Sequence, residues 1–173
     1  MQLIRLDKNN ARFYDDAINL YINSFPLCER RDITSHKIAL SYSDYHFDFI
    51  IKDNKFIGIM LYWETNEFIF LEHFAILPSL RNNGFGQSAL NLLKEKNKTI
   101  ILEIEPPIDD LTIRRLNFYK RNDFYLTNHN HIQLKYHKND NDLILKIMSF
   151  PLPINEKEYK LFRNYLNEKV QHE

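Results

Sequence analysis

FLEHFAILPSLRNNGFGQSAL, residues 70–90, is the stretch that decides the fold. Its first half is almost entirely apolar and ends at Pro78, which predicts a buried strand. Its second half contains Arg81, Gly84 and Gly86 and leads into a helix with an apolar face. Glycine permits positive φ and close approach of a ligand, and the first N–H groups of a helix lack partners. This loop is therefore expected to bind an anion such as phosphate.

The spacing within the loop excludes two common phosphate-binding motifs. A P-loop ends in Gly-Lys-Ser/Thr, which is missing here, and the dinucleotide fingerprint needs a third glycine, whereas Ala89 comes at the wrong offset. What remains is Arg-x-x-Gly-x-Gly between a strand and a helix, with Arg81 adding a full positive charge. A glycine-rich turn that binds no ligand is the alternative.

On both sides of this loop the sequence predicts the strands of one sheet. Strands are expected at 1–6, 47–51, 56–63, 67–77 and 99–104, with a closing antiparallel pair at 124–136 and 143–150. Strand, loop, helix and strand around the glycines form a βαβ unit, so the strands at 67–77 and 99–104 should be parallel. Helices are expected at 13–24, 33–41, 87–96, about 110–122 and 156–170, with Asn9 and Asn10 as turn and cap residues before the first.

Composition limits the possible partners. The chain has 173 residues, with 23 Lys plus Arg balanced by 23 Asp plus Glu, so no nucleic-acid or anionic-membrane partner is expected. Cys28 is the only cysteine, which excludes an intramolecular disulfide. No signal peptide or membrane span is evident, and a cytoplasmic monomer or homodimer is expected.

Two segments together resemble one family. Phe70–Leu90 is similar to the acetyl-CoA motif of the GNAT superfamily of N-acetyltransferases. Arg114–Phe124 resembles the superfamily's next helix, in which a tyrosine, here Tyr119, is followed five residues later by Phe124. The resemblance implies an α/β (α+β) GNAT fold in residues 1–153: a splayed, mostly antiparallel sheet with one central parallel pair and helices on both faces. An extra amphipathic helix would occupy 154–173.

The resemblance also implies where acetyl-CoA lies. The pantetheine arm would fit between the diverging parallel strands and pair with the main chain of Phe74, Ala75 and Ile76. The backbone amides of one loop would hold the pyrophosphate, namely those of Arg81, Asn82, Asn83, Gly84, Phe85, Gly86 and Gln87. Thr112 stands at a helix start where many relatives have an asparagine that contacts the pantetheine or the acceptor. Asp123 replaces the usual glycine before the final phenylalanine.

The resemblance further implies direct attack of a neutral amine on the thioester. Tyr119 occupies the usual position of the acid that protonates the departing thiolate. Two carboxylates could act as the base, Glu72 on the motif strand and Glu103 on the next strand, and the sequence leaves both open. By period two, Glu72 should share a face with Phe74 and Ile76, and His73 should point to the opposite face.

The expected function is an acetyl-CoA-dependent N-acetyltransferase acting on a primary amine of a small molecule or a peptide. The alternatives are a GNAT-fold module that binds or senses acyl-CoA without turnover, and a ligand-free structural domain. The histidines His129, His131 and His137 lie close in sequence, but without cysteines or fixed ligand geometry no metal site is expected. The acceptor would be selected by Phe25–His46 and by the closing strands.

Overall fold

One open sheet of eight strands dominates the computed structural model, which describes residues 1–7 and 11–170. The strands are β1 (Gln2–Arg5), β2 (Tyr45–Lys52), β3 (Lys55–Glu64), β4 (Phe68–Ile76), β5 (Thr99–Ile104), β6 (Tyr125–Leu126), β7 (His131–Ile132) and β8 (Ile144–Phe150). Their spatial order is β1-β2-β3-β4-β5-β8-β6, and β7 also pairs with β8. Only the β4–β5 pair is parallel among the pairs described. The mostly antiparallel sheet with one central parallel pair is therefore confirmed.

Five α-helices flank the sheet in the described ranges. They are α1 (Tyr14–Ser24), α2 (Ile33–Ala39), α3 (Phe85–Lys94), α4 (Asp110–Arg121) and α5 (Glu156–Tyr165), and a π-helical turn, Leu166–Val170, continues α5. Each expected helix is present, with ends shifted by a few residues. Asn9 and Asn10, expected before α1, lie outside the described residues.

Local chemistry explains how the first three long strands connect. Asp53 and Asn54 join β2 to β3 with φ of 51° and 58°, the conformation that a two-residue hairpin turn requires. Gly58 lets β3 approach β4 closely, because a Cβ at this position would lie 2.2 Å from the carbonyl oxygen of Ala75. The antiparallel strands β2 and β3 therefore hold the end of β4 in a fixed position.

The parallel pair β4–β5 splays apart. β4 pairs with β5 only from Phe68 to Leu71, whose partners are Thr99 to Leu102, although β4 continues to Ile76. β5 meanwhile stays paired with β8 as far as Ile104. The two strands therefore open a cleft at their carboxyl ends, as the resemblance implied.

A β-bulge lies at the point where the splay begins. In the β3–β4 ladder, Leu61 is opposite His73 and Tyr62 is opposite Leu71, so Glu72 is the extra residue. The carboxylate of Glu72 accepts a hydrogen bond from Trp63, which belongs to the opposite core from Ile76. The expectation that Glu72 shares the face of Phe74 and Ile76 is therefore wrong, because the inserted residue changes the alternation that period two assumes.

Helices cover both faces of the sheet, as expected. On one face, α1 and α5 pack over a core that includes Phe68, Phe70 and Phe162; on the other, α3 and α4 pack over a core that includes Leu90 and Leu116. The ring of Phe162 in α5 lies 5.2 Å from that of Phe70 and is fully buried, which stabilises the docked helix by about 1.5–3 kcal/mol.

The helices of residues 1–7 and 11–170 are all too short or too polar to cross a lipid bilayer.

Candidate active site

The cleft between the diverging strands is a cavity of about 1080 Å³ that extends through both faces of the sheet. On one side lie the N-terminus of α3 and one wall of α4; on the other lie Phe25, Pro26 and Glu29. Eleven of the residues predicted from the sequence line it: Glu72, Phe74, Ala75, Ile76, Arg81, Asn82, Gly84, Gly86, Gln87, Glu103 and Tyr119. The structure thus brings most of the predicted residues to one place.

The glycine loop presents bare amides to the cleft. Gly84 is the N-cap of α3 with φ of 76°, and no side chain caps the helix. The first helical hydrogen bond runs from Ser88 N–H to the Gly84 carbonyl, so the N–H groups before it lack helical partners. Their partial positive charge adds to the helix dipole and makes this end of the cleft suitable for phosphate.

The loop is held in place by its own side chains. The Arg81 Nε donates to the carbonyl of Ile76 at 3.1 Å, which ties the loop to the end of β4. The Asn83 side-chain amide donates to the carbonyls of Leu80 and Arg81, at 3.2 and 3.0 Å. The loop can therefore present its amides without rearranging.

Gly86 is required for space and not for its backbone conformation. Among the glycines only Gly84 has positive φ, so Gly86 does not use the positive φ that glycine permits. A Cβ at Gly86 would instead lie 3.1 Å from the ring of Phe118 and 3.8 Å from that of Phe74. Both rings line the cleft, and the missing side chain lets α3 and α4 approach each other there.

Three predicted cofactor residues do not line the cleft: Asn83, Phe85 and Thr112. Phe85 is half-buried against the core beneath α3, and the Lys52 ammonium lies 5.2 Å from the centre of the Phe85 ring. The Thr112 hydroxyl is used in the capping box of α4, where it donates to Asp109 and accepts from main-chain N–H groups. A role for Thr112 at the cofactor thus has no support in this geometry, because capping occupies its polar atoms.

Tyr119 lies in the wall of the cleft, 9% exposed, and is held by the rings of Phe118 and Phe124 at 5.2 and 5.5 Å. Burial raises the pKa of Tyr119 to about 12, with a smaller opposing effect from Arg115. The phenol is therefore fully protonated at neutral pH and can donate a hydrogen bond to a group in the cleft.

Glu72 is a carboxylate locked in a buried network. One of its oxygens accepts from Arg31 at 2.9 Å and from the Tyr136 hydroxyl at 2.8 Å, and the other accepts from the Trp63 indole at 3.1 Å. Burial alone would raise the pKa of Glu72, but the Arg31 guanidinium, helped by His73, holds it below the ordinary value. A carboxylate with this many donors is a weak proton acceptor.

Glu103 has a different environment. Its side chain is 12% exposed, lines the cleft and is hydrogen-bonded to the Nε2 of His131. The Glu103 carboxylate is therefore accessible from the cleft, and its hydrogen-bond partner is an imidazole.

Two further carboxylates, those of Glu29 and Glu105, line the cleft. Glu105 is paired with Arg115, and Glu29 lies in a 3₁₀ turn whose main-chain carbonyl accepts from His73 Nε2 at 2.7 Å. Burial, followed by the charge of Glu105, raises the pKa of the Glu29 carboxyl. Because Arg115 compensates the charge of Glu105, Glu29 is the carboxylate of this pair that can attract a cationic group.

Several residues of the site have no signal in the sequence. Arg31 and Tyr136 are separated from Glu72 by 41 and 64 positions, and their neighbours form no motif. Asn122, which lines the cleft beside α3 and donates to the Phe118 carbonyl at 2.8 Å, is in the second motif but gave no separate signal.

Across the described ranges, 1–7 and 11–170, no group of three or more His, Cys, Asp or Glu side chains is arranged to hold a metal ion.

Comparisons with known proteins agree with this geometry. A chain from Bacteroides thetaiotaomicron, described as an acetyltransferase of the GNAT family, is 31% identical, with a TM-score of 0.91 and 98% of both chains covered. YjbC of Bacillus subtilis (strain 168), named as an acetyltransferase, is 37% identical over 79 residues, which cover 44% of this chain and 41% of that protein. A GNAT family acetyltransferase from Elizabethkingia anophelis with acetyl-CoA bound shares the fold. It has 16% identity and a TM-score of 0.56, with 87% of this chain and 97% of that chain covered.

The model of the Acetyltransferase (GNAT) family matches residues 10–124, which include both sequence motifs, the splayed strands and α3 and α4. Acetyl-CoA is the co-substrate of that family. The match covers more than half of the chain, and the sheet topology and the cleft agree with it, so this protein belongs to the Acetyltransferase (GNAT) family.

Proposed function

We propose that the protein is an N-acetyltransferase that moves the acetyl group of acetyl-CoA to a primary amine of a small molecule or a peptide. One observation carries the proposal: a single cleft joins an anion-binding helix N-terminus, a protonated phenol and carboxylates. The first suits the pyrophosphate, the second the departing thiolate and the third an amine that arrives as an ammonium ion.

The donor would lie along β4. The amides at the start of α3 would hold the pyrophosphate. Beyond Leu71 the edge of β4 that faces β5 has no ladder partner, so the main chain of Phe74, Ala75 and Ile76 can pair with the pantetheine amides. The thioester would then lie near the bulge at Glu72, between the two sides of the cleft.

The reaction would proceed by direct attack. An alkylammonium has an ordinary pKa near 10.4 and must lose a proton before it can attack the thioester carbonyl. The tetrahedral intermediate then expels a thiolate whose ordinary pKa is near 8.5. Tyr119 would donate a hydrogen bond to the sulfur as charge develops there and would protonate it on departure.

Glu103 is the better candidate for the group that receives the amine's proton. It lines the cleft and has an imidazole partner, whereas both oxygens of Glu72 are occupied by donors. Removing the Glu72 carboxylate would leave the buried Arg31 guanidinium uncompensated, a change that costs about 3–5 kcal/mol of stability in other proteins. Glu72 therefore fits a positioning role: it holds the bulge against the acceptor side, which is the side of the cleft that contains Phe25, Pro26 and Glu29.

Arg81→Ala should weaken acetyl-CoA binding only moderately, by about tenfold or less. Its side chain is exposed, so its charge is partly screened, while the amides carry most of the phosphate contact. Titration calorimetry measures the change, and Arg81→Lys, which restores the charge, should recover most of the affinity. Weaker binding by Arg81→Ala than by Gly86→Val would contradict this division of roles.

Glu29→Gln should raise KM for the amine about fivefold, which corresponds to about 1 kcal/mol, and leave acetyl-CoA affinity unchanged. Because burial raises the pKa of Glu29, KM for the amine in the wild type should also rise as the pH falls toward that pKa. Steady-state kinetics provides the measurement, with Glu67→Gln as an exposed control outside the cleft. An unchanged KM in Glu29→Gln would remove Glu29 from the acceptor site.

Two assays test the proposal. Acetyl-CoA should raise the thermal midpoint, and release of free CoA thiol should depend on one or more members of a panel of amines. Stabilisation without amine-dependent thiol release would favour the acyl-CoA-binding or sensor module. No stabilisation would indicate that the glycine loop binds no ligand.

A further inference from the structure

Three hydrogen-bonded side chains form a path that leads from the cleft through the protein. The carboxylate of Glu103, on β5, is hydrogen-bonded to Nε2 of His131, on β7. Nδ1 of the same ring lies 3.1 Å from the hydroxyl of Tyr159, on α5, and that hydroxyl donates to the Asn130 carbonyl at 3.1 Å. The three residues come from three separate elements and meet end to end.

The three side chains of this path differ in how deeply they are buried. Glu103 lines the cleft, the side chain of His131 is 0% exposed, and Tyr159 is half-buried. His129 stacks on Tyr159 with ring centres 4.3 Å apart, and it lies 3.6 Å from the carboxylate of Glu156, which is 67% exposed. The cleft and the surface beside α5 are therefore connected through one buried imidazole.

Imidazole is the only side chain that can accept a proton on one nitrogen and release another from the second nitrogen near neutral pH. Glu72 and Glu103 differ in this respect. Glu72 is paired with a guanidinium, which never gives up its proton, whereas Glu103 is paired with an imidazole whose second nitrogen is also hydrogen-bonded.

We propose that Glu103, His131 and Tyr159 form a proton relay that carries the proton of the acceptor ammonium from the cleft to solvent. The proton passes from the amine, directly or through one water, to the Glu103 carboxylate and then to Nε2 of a neutral His131 that carries its own proton on Nδ1. His131 releases the Nδ1 proton to the oxygen of Tyr159, whose own proton leaves to bulk water. Each group then has as many protons as it began with, and His131 returns to its first tautomer by a turn of its ring before the next turnover. The neutral amine is left free to attack.

This inference rests on the proposed function and adds His131 and Tyr159 to it as positioning residues. Charged and titratable groups surround each member of the relay. Glu29, His73 and Tyr136 interact electrostatically with Glu103. Glu103 and Tyr159 contact His131, while His129, Glu156 and Arg163 lie around Tyr159.

The test compares His131→Gln and Tyr159→Phe with the wild type over a range of pH, using an amine from the panel. Glutamine can still donate to Glu103 but cannot pass a proton on, and phenylalanine keeps the ring that stacks on His129. Tyr165→Phe is the matched control, because it removes a hydroxyl of α5 that is bonded to Asp44 and lies outside the relay.

Near neutral pH, kcat should fall about 10²-fold in His131→Gln and less in Tyr159→Phe, with KM for acetyl-CoA unchanged. Both losses should shrink as the pH rises and the amine deprotonates by itself. Tyr165→Phe should keep the wild-type profile. A loss that is equal at every pH, or wild-type kcat in both variants, would overturn the relay alone. A wild type that binds acetyl-CoA but acetylates no amine would overturn the proposed function and the relay with it.

Discussion

Tyr119→Phe should lower kcat by between about 10²- and 10⁴-fold while acetyl-CoA affinity stays nearly constant. The substitution removes only the hydroxyl, since the ring keeps its contacts with Phe118 and Phe124. Without the phenol, the departing thiolate has lost its proton donor in the cleft wall. Stopped-flow or steady-state thiol release gives kcat, and calorimetry gives the affinity.

The pH profile provides a second readout of the same residue. Because burial raises the pKa of Tyr119 to about 12, the phenol stays protonated up to about pH 11, and its ionisation should cause no loss of rate below that. Tyr125→Phe is the control, since Tyr125 is 46% exposed on β6 and does not line the cleft. A Tyr119→Phe enzyme with wild-type kcat would remove the acid assignment.

Gly86→Val should abolish most of the stabilisation that acetyl-CoA gives. A ligand at a hundredfold excess over its Kd stabilises the folded protein by about 2.7 kcal/mol. A valine side chain at this position would enter the space that the rings of Phe118 and Phe74 leave open, because even its Cβ would lie 3.1 Å from Phe118. It would displace the cleft wall and obstruct the amides at the start of α3.

Ser88→Val is the matched control for this experiment. It places the same side chain two residues further along α3, at an exposed position that does not line the cleft. Thermal unfolding with and without acetyl-CoA should show a full ligand shift in Ser88→Val and little in Gly86→Val. A full ligand shift in a folded Gly86→Val variant would refute the loop as the phosphate site.

Much of the fold follows from local patterns in the sequence. The strand β5 has the predicted bounds, Thr99–Ile104, because its β-branched, apolar run is short and bounded by polar residues. The turn at Asp53 and Asn54 formed without a glycine, since asparagine and aspartate tolerate positive φ. Asp109 caps α4 and forms a capping box with Thr112, so the helix begins where an aspartate favours its start.

The parts that could not be predicted depend on contacts between distant segments. The bulge at Glu72 is invisible to period-two reasoning because nothing local marks the inserted residue. Its guanidinium partner, Arg31, also donates to the Val170 carbonyl, 139 positions away, so the acceptor side is assembled from both ends of the chain. His131 was considered only as a metal ligand, because its link to Glu103 exists only after β7 pairs with β8.

The most direct test of the account follows the acetyl group itself. Acetyl-CoA carrying ¹³C in the acetyl group would be mixed with the protein and the best amine of the panel, and mass spectrometry would locate the label. Direct attack predicts that the label appears on the nitrogen of the amine, with one CoA thiol released for each labelled product and no label on the protein, including the exposed Cys28. Label retained on CoA despite tight binding would contradict catalysis, and label on the protein chain would contradict direct transfer.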